Sequence, residues 1–133
     1  MKLRLTIIAF IILLGAPSKS DTKEYFPPPP YTVSRASWYG QEFQGNETAN
    51  GEHFNRNVTT AANLTLPFGT IIRVTNLGNG KSVNLRINDR GPYVARRMLD
   101  ISQAAAKKLD FVDAGLAWVR VEILSYPKPY KRH

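Results

Sequence analysis

The chain has 133 residues, 18 Lys and Arg against 10 Asp and Glu, and no cysteine. The length suffices for one domain and not two, and the net charge of +8 favours an anionic partner. Without cysteine, no disulfide, thiolate metal site or cysteine-linked lipid anchor is expected. The two histidines, His53 and the terminal His133, are too few for a histidine zinc site. No metal or cofactor is expected, and no basic run with interleaved aromatics points to nucleic acid.

Residues 1–20 read as a secretory signal peptide. Lys2 and Arg4 precede the apolar run Leu5–Leu14, and small residues follow. The run is shorter than a bilayer span requires. An exported protein of the periplasm or cell envelope, or a secreted one, is therefore expected. Residues 21–33 form a linker built around Pro27–Pro30, which favours an extended polyproline II spacer. Residues 34–125 carry globular composition, and residues 126–133, with two prolines and three cations besides a histidine, read as a basic tail.

Within the globular part the pattern is mostly strand. Ala36–Gly40 is a short aromatic segment. Thr70–Thr75 is β-rich, and Asn79-Gly80 is a hairpin signal. Val83, Leu85 and Ile87 alternate along Lys81–Ile87, and Val119, Val121 and Ile123 alternate along Ala117–Leu124. Ser102 is placed to cap a helix over Gln103–Leu109. Several short strands with one or two short helices predict a mainly β fold, a small β-barrel.

Three acids are candidates for chemistry. Asp89 ends the alternating run, just before the Gly91-Pro92 breaker. Asp100 lies between Leu99 and Ile101, ahead of the helix. Glu52 lies in the polar loop Thr48–Phe54. A carboxylic acid can protonate a glycosidic oxygen when its surroundings favour the neutral form. Each acid also has a structural reading: Asp89 pairing with Arg90 or organising the turn, Asp100 capping the helix or bonding barrel backbone, Glu52 simply solvated. Trp38 and Tyr39 suit either the core or stacking on sugar, with Trp38 the better core candidate.

The segments A-S-W-Y-G (36–40), T-A-N-G-E-H-F (48–54), T-A-A-N-L-T-L-P-F-G-T (60–70), V-T-N-L-x-N-G (74–80), I-N-D-R-G-P-Y (87–93) and L-D-I-S-Q-A-A-A (99–106) occur in the order of the rare lipoprotein A family, which the chain resembles over about 36–124. The resemblance implies a six-stranded double-psi β-barrel and endolytic lytic transglycosylase activity on peptidoglycan glycan strands, leaving 1,6-anhydro ends. It implies Asp89 as catalytic acid, with Glu52 in the cleft. Asn63 stands where the family has histidine, and asparagine carries no proton near neutral pH; His53 occupies a different motif position. Asn63, Asn88, Arg90, Asp100 and Tyr39 are the expected substrate-binding residues. The alternative is a non-catalytic, expansin-like peptidoglycan-binding or wall-loosening module, and a third reading is a scaffold for cell-division or envelope proteins. A monomer is expected.

Overall fold

The computed structural model describes residues 31–129. The segments read as signal peptide, most of the linker and the last four residues of the tail lie outside them. The elements are β1 (Tyr31–Tyr39), a 3-10 turn at Gln41–Phe43, β2 (Thr60–Ala62), β3 (Ile71–Asn76), β4 (Ser82–Asp89), β5 (Arg97–Ser102), α1 (Gln103–Leu109) and β6 (Leu116–Ser125). The six strands close into a barrel in the order β1-β5-β2-β4-β3-β6. Two pairs, β1 with β5 and β2 with β4, are parallel, and the other contacts are antiparallel. This mixed closed sheet is the expected double-psi barrel.

Alternation works where the sequence shows it. Val83, Leu85 and Ile87 on β4, Ile72 and Val74 on β3, and Val119 and Val121 on β6 are buried together, with Leu99 and Ile101 of β5. Period-two side-chain placement sends every second residue into the barrel. The β3–β4 hairpin turns at Asn76–Lys81: Asn76 N donates to Lys81 O at 2.8 Å, and Gly80 takes φ +75°, a backbone state that costs glycine nothing. The turn's amides also reach across the molecule. Asn76 Nδ2 and Asn79 Nδ2 donate to Leu109 O at 2.9 and 3.0 Å, satisfying a carbonyl that the end of α1 leaves open.

The helix runs over the expected residues. Ser102 caps it, its Oγ accepting from Ala105 N at 3.4 Å, and Asp110 closes it in the left-handed conformation. Lys107 and Lys108 lie in the last turn, where the helix dipole favours cations. Ala105, Ala106 and Leu109 close one end of the core. Asp100 is not the cap.

Three features depart from the sequence reading. First, β1 begins at Tyr31, so the last three residues read as linker are strand. They pair with Arg120–Glu122 of β6, and this partner is far away in sequence. Second, Thr60–Ala62 and Arg97–Ser102 are strands that no alternation announces, because β2 is buried at all three positions and β5 at three of six. Third, the start of the basic tail packs on the barrel: Pro127 lies 3.3 Å from where a Cβ on Gly69 would stand, and Gly69 has φ +89°.

Candidate active site

The parallel pairings bring one row of residues together across four adjacent strands. Ser37 of β1 is in register with Asp100 of β5. Asp100 is in register with Ala62 of β2, and Ala62 with Asp89 of β4. In-register neighbours present their side chains on the same face. Two strand spacings separate the carboxylate-bearing backbones, roughly 10 Å, and only the methyl of Ala62 lies between them. Asp89, Ala62 and Asp100 line a single pocket of about 310 Å³, together with Tyr39.

Each acid is held differently. Asp89 Oδ1 accepts from Ala49 N at 2.9 Å and from Arg90 N at 2.8 Å. Both bonds fall on Oδ1, and Oδ2 carries none among the described residues. The carboxyl is fixed by backbone and still has a free oxygen. Asp100 Oδ1 accepts from Ser37 Oγ, which in turn accepts from Arg97 at 2.9 Å. The Arg97–Ser37 chain polarises the hydroxyl toward the acid.

Tyr39 lies beneath the row. Its ring meets Phe54 at 4.4 Å and Phe43 edge-on at 5.8 Å between centroids. Burial pushes its hydroxyl well above the ordinary tyrosine value, and the charges of Asp89 and Asp100 push in the same direction, against the neighbouring Thr60 hydroxyl. The group therefore stays protonated at any physiological pH. Its oxygen is fully buried, with the equally buried Thr60 hydroxyl as its neighbour. Trp38, one residue earlier, faces the other way and packs on the core, with Nε1 donating to Val112 O at 3.1 Å. Gly40 follows for steric reasons: a Cβ there would stand 2.8 Å from the Trp38 ring.

Four of the expected site residues have their side chains engaged by other groups of the protein. Glu52 does not line the pocket. It forms a bidentate pair with Arg86, Nη1 to Oε1 at 2.5 Å and Nη2 to Oε2 at 2.8 Å, and accepts from Asn50 and Asn88. Those bonds, Arg86 first, pull its carboxyl down to about 2, so it remains ionised and cannot serve as a proton donor. Asn88 is buried beneath the loop that carries Glu52 and is likewise absent from the pocket. Asn63 is buried, and both ends of its amide are bonded within the protein: Nδ2 donates to Met98 O at 3.1 Å, while Oδ1 accepts from Thr65 N and Leu66 N at 3.0 and 2.8 Å. It builds a turn and presents nothing to a ligand. Arg90 lines the pocket, but its guanidinium donates to Leu66 O at 2.9 Å and Asn63 O at 3.3 Å and lies 3.8 Å over the Phe68 ring. It staples the end of β4 to the loop between β2 and β3. His53 Nδ1 lies 2.9 Å from Gly45 O, away from the pocket.

Several pocket residues carry no signal in the sequence. Glu47 and Thr48 come from the loop after the 3-10 turn, Phe43 from that turn, and Tyr93 and Val94 from the loop after β4. Thr48 and Tyr93 fall inside the motif segments 48–54 and 87–93, but nothing local marks them as site residues.

A family model described as "Lytic transglycolase" matches residues 31–121. The chain belongs to this family. Among curated relatives it is 50% identical over 91 residues to the endolytic peptidoglycan transglycosylase RlpA of Campylobacter jejuni, covering 68% of this chain and 33% of that one. It is 54% identical over 90 residues to the same-named protein of Pseudomonas aeruginosa, covering 68% and 26%. The chain thus spans about a third of the length of the curated relatives it matches. Solved structures of similar shape include a Streptomyces papain inhibitor, with TM-score 0.60, 21% identity and 74% and 98% of the two chains covered. A Clavibacter michiganensis expansin follows at TM-score 0.59 and 22% identity, covering 74% and 52%. At these identities the shared property is the fold, and one barrel thus carries different activities.

Proposed function

We propose that this lytic transglycosylase-family domain cleaves peptidoglycan glycan strands endolytically, between N-acetylmuramic acid and N-acetylglucosamine, with Asp89 as the proton carrier. The observation that carries the reading is the one-sided anchoring of Asp89. Its Oδ1 is fixed by two backbone N–H groups, and Oδ2 is free at the pocket. Asp89 protonated on Oδ2 donates to the bridging oxygen as the anomeric C–O bond breaks, and the N-acetylglucosamine end leaves as an alcohol. The muramyl 6-hydroxyl then bonds to the anomeric carbon, and its proton returns to Oδ2. The product is the 1,6-anhydro sugar, and Asp89 ends protonated, as it began. No water is activated, so the second carboxylate of a hydrolytic pair is not required as base.

Asp100 replaces Glu52 as the second acid of the proposed mechanism. Across Ala62 from Asp89 and oriented by Ser37, it stabilises positive charge developing on the sugar ring, an electrostatic role suited to a fixed group in a shielded site. The Tyr39 ring lines the pocket with its buried hydroxyl protonated, so it adds no third negative charge beside the two acids. The apolar run Leu5–Leu14 behind Lys2 and Arg4 supports export to the compartment that holds this substrate.

The second reading is glycan binding without turnover. It draws on Asn63, which fills the family's histidine position with a residue locked into a turn. Incubation of the protein with peptide-free glycan strands, followed by mass spectrometry, separates the two. Anhydro-muramyl ends that vanish in Asp89→Asn support transglycosylation. Strand retention with no new ends supports binding alone, and reducing ends without anhydro sugar would overturn the mechanism in favour of hydrolysis.

A further inference from the structure

Tyr93 is the most solvent-exposed large apolar side chain among the described residues, at 82%. The fold makes no use of it. The other two aromatics more than half exposed are each covered by a guanidinium: Arg35 lies 5.3 Å over Trp118 and Arg120 lies 5.7 Å over Tyr31. Tyr93 has neither a cation nor another ring against it. Its position is nonetheless set. It lines the pocket four residues beyond Asp89, and its ring lies over Gly91, where a Cβ would stand 3.8 and 3.9 Å from two ring atoms. Gly91 has φ +126°, which disfavours any side chain there. A bare backbone thus carries the ring at the pocket rim.

The strand order gives the ring its meaning. Across the floor run Asp100 of β5, Ala62 of β2 and Asp89 of β4, with Tyr39 of β1 beside the row. Two strand spacings make this floor roughly 10 Å long, which exceeds one pyranose ring. Phe43, braced edge-on by Tyr39, stands beyond the β1 end. Tyr93 stands beyond the β4 end. A pyranose face presents axial C–H groups carrying partial positive charge, and these pack on the electron-rich face of an aromatic ring. We propose that Tyr93 is the stacking platform of a sugar subsite next to Asp89, at the opposite end of the floor from Phe43. A glycan strand then lies across the floor with a sugar held on each side of the bond that is cut. This inference rests on the reading of the domain as a glycan-cleaving one, and the ligand class is an uncharged pyranose face of a polysaccharide, held by stacking alone.

The test is steady-state cleavage of peptide-free glycan strands by the full chain carrying Tyr93→Ala, Tyr93→Phe or Tyr93→Trp. The expected result is a KM raised about tenfold in Tyr93→Ala with kcat nearly unchanged, the pattern of lost uniform binding. Phe and Trp should restore KM, since the ring and not the hydroxyl does the stacking. A KM within twofold of wild type would overturn the subsite while leaving the cleavage reading intact. A fall in kcat alone would also overturn it, making the loop a support for Asp89. Should the wild type not cleave, equilibrium binding of fluorescently labelled strands takes the place of KM. Weaker binding in Tyr93→Ala with rescue by Phe supports the subsite without catalysis, and no binding by the wild type removes both readings together. At such exposure the substitutions leave folding undisturbed, and coincident thermal midpoints check this.

Discussion

Two acid clusters are built on one strand, and they behave in opposite ways. On β4 Val83, Leu85 and Ile87 point into the core, and a bulge after Ile87 brings Asp89 into register with Ala62 at the pocket, while Arg86 and Asn88 hold Glu52 outside it. Glu52 is saturated. A bidentate cation and two amides fix it in its charged form. Asp89 has one oxygen anchored by backbone N–H groups and one free, and the other acid of its row, Asp100, is oriented by a hydroxyl. A fully paired carboxylate serves architecture. A carboxylate with an open oxygen at a pocket is equipped for proton transfer.

The contrast is sharpest if broken at Asp89. Asp89→Asn keeps the Oδ1 acceptor for Ala49 and Arg90 but removes the transferable proton. Cleavage of glycan strands is expected to fall by about 10²–10⁴-fold, with the thermal midpoint nearly unchanged. Asp100→Asn should come next, with a loss of about 10²-fold from removal of a charge-stabilising group, read as kcat while strand binding persists. Equal activity in this variant would return the second acidic role to another residue.

On the structural side the expected losses are of stability. Asn63→Ala leaves Thr65 N, Leu66 N and Met98 O without their partner. A cost of about 1–3 kcal/mol follows for the buried groups left unsatisfied, measured by denaturant unfolding. The smallest effect belongs to Glu52→Gln. The pair is partly exposed, its Glu52 side chain 41% accessible, so solvent screening limits its worth to about 1 kcal/mol near neutral pH. The sign follows from the direction of the shift. Glu52 is depressed from 4.5 to about 2 in the folded protein, so its contribution is complete above 4.5 and is lost as pH falls toward 2. Unfolding curves of wild type and Glu52→Gln should therefore converge across that window. If Glu52→Gln abolished cleavage at neutral pH without loss of stability, the division between the architectural and the reactive acid would fail.

Much of the barrel was legible because alternation and turn chemistry are local. The β3–β4 hairpin, β6 and the Ser102-capped helix all follow from residues within one or two turns of chain. β2 and β5 were not legible. They are buried on both faces or nearly so, and Thr60-Ala61-Ala62 alternates in nothing. The site was half legible for a related reason. Asp89 could be found from the turn that follows it and from its family motif, and Asp100 and Tyr39 from theirs. Glu52, Asn63, Asn88 and Arg90 were polar residues in the right motifs, and no local pattern says which partner a polar side chain has already taken.

The amino-acid order by itself determined the strands that alternate, the helix and its cap, the absence of any thiol chemistry and the motifs that mark the family. These depend on short-range backbone preference and side-chain period. Tertiary structure decided which acids meet. Parallel pairing of β1 with β5 and of β2 with β4, strands far apart in sequence, sets Ser37, Asp100, Ala62 and Asp89 in one row. A one-residue change of register would turn one of these acids to the opposite face, and such registers are fixed only when the whole barrel closes.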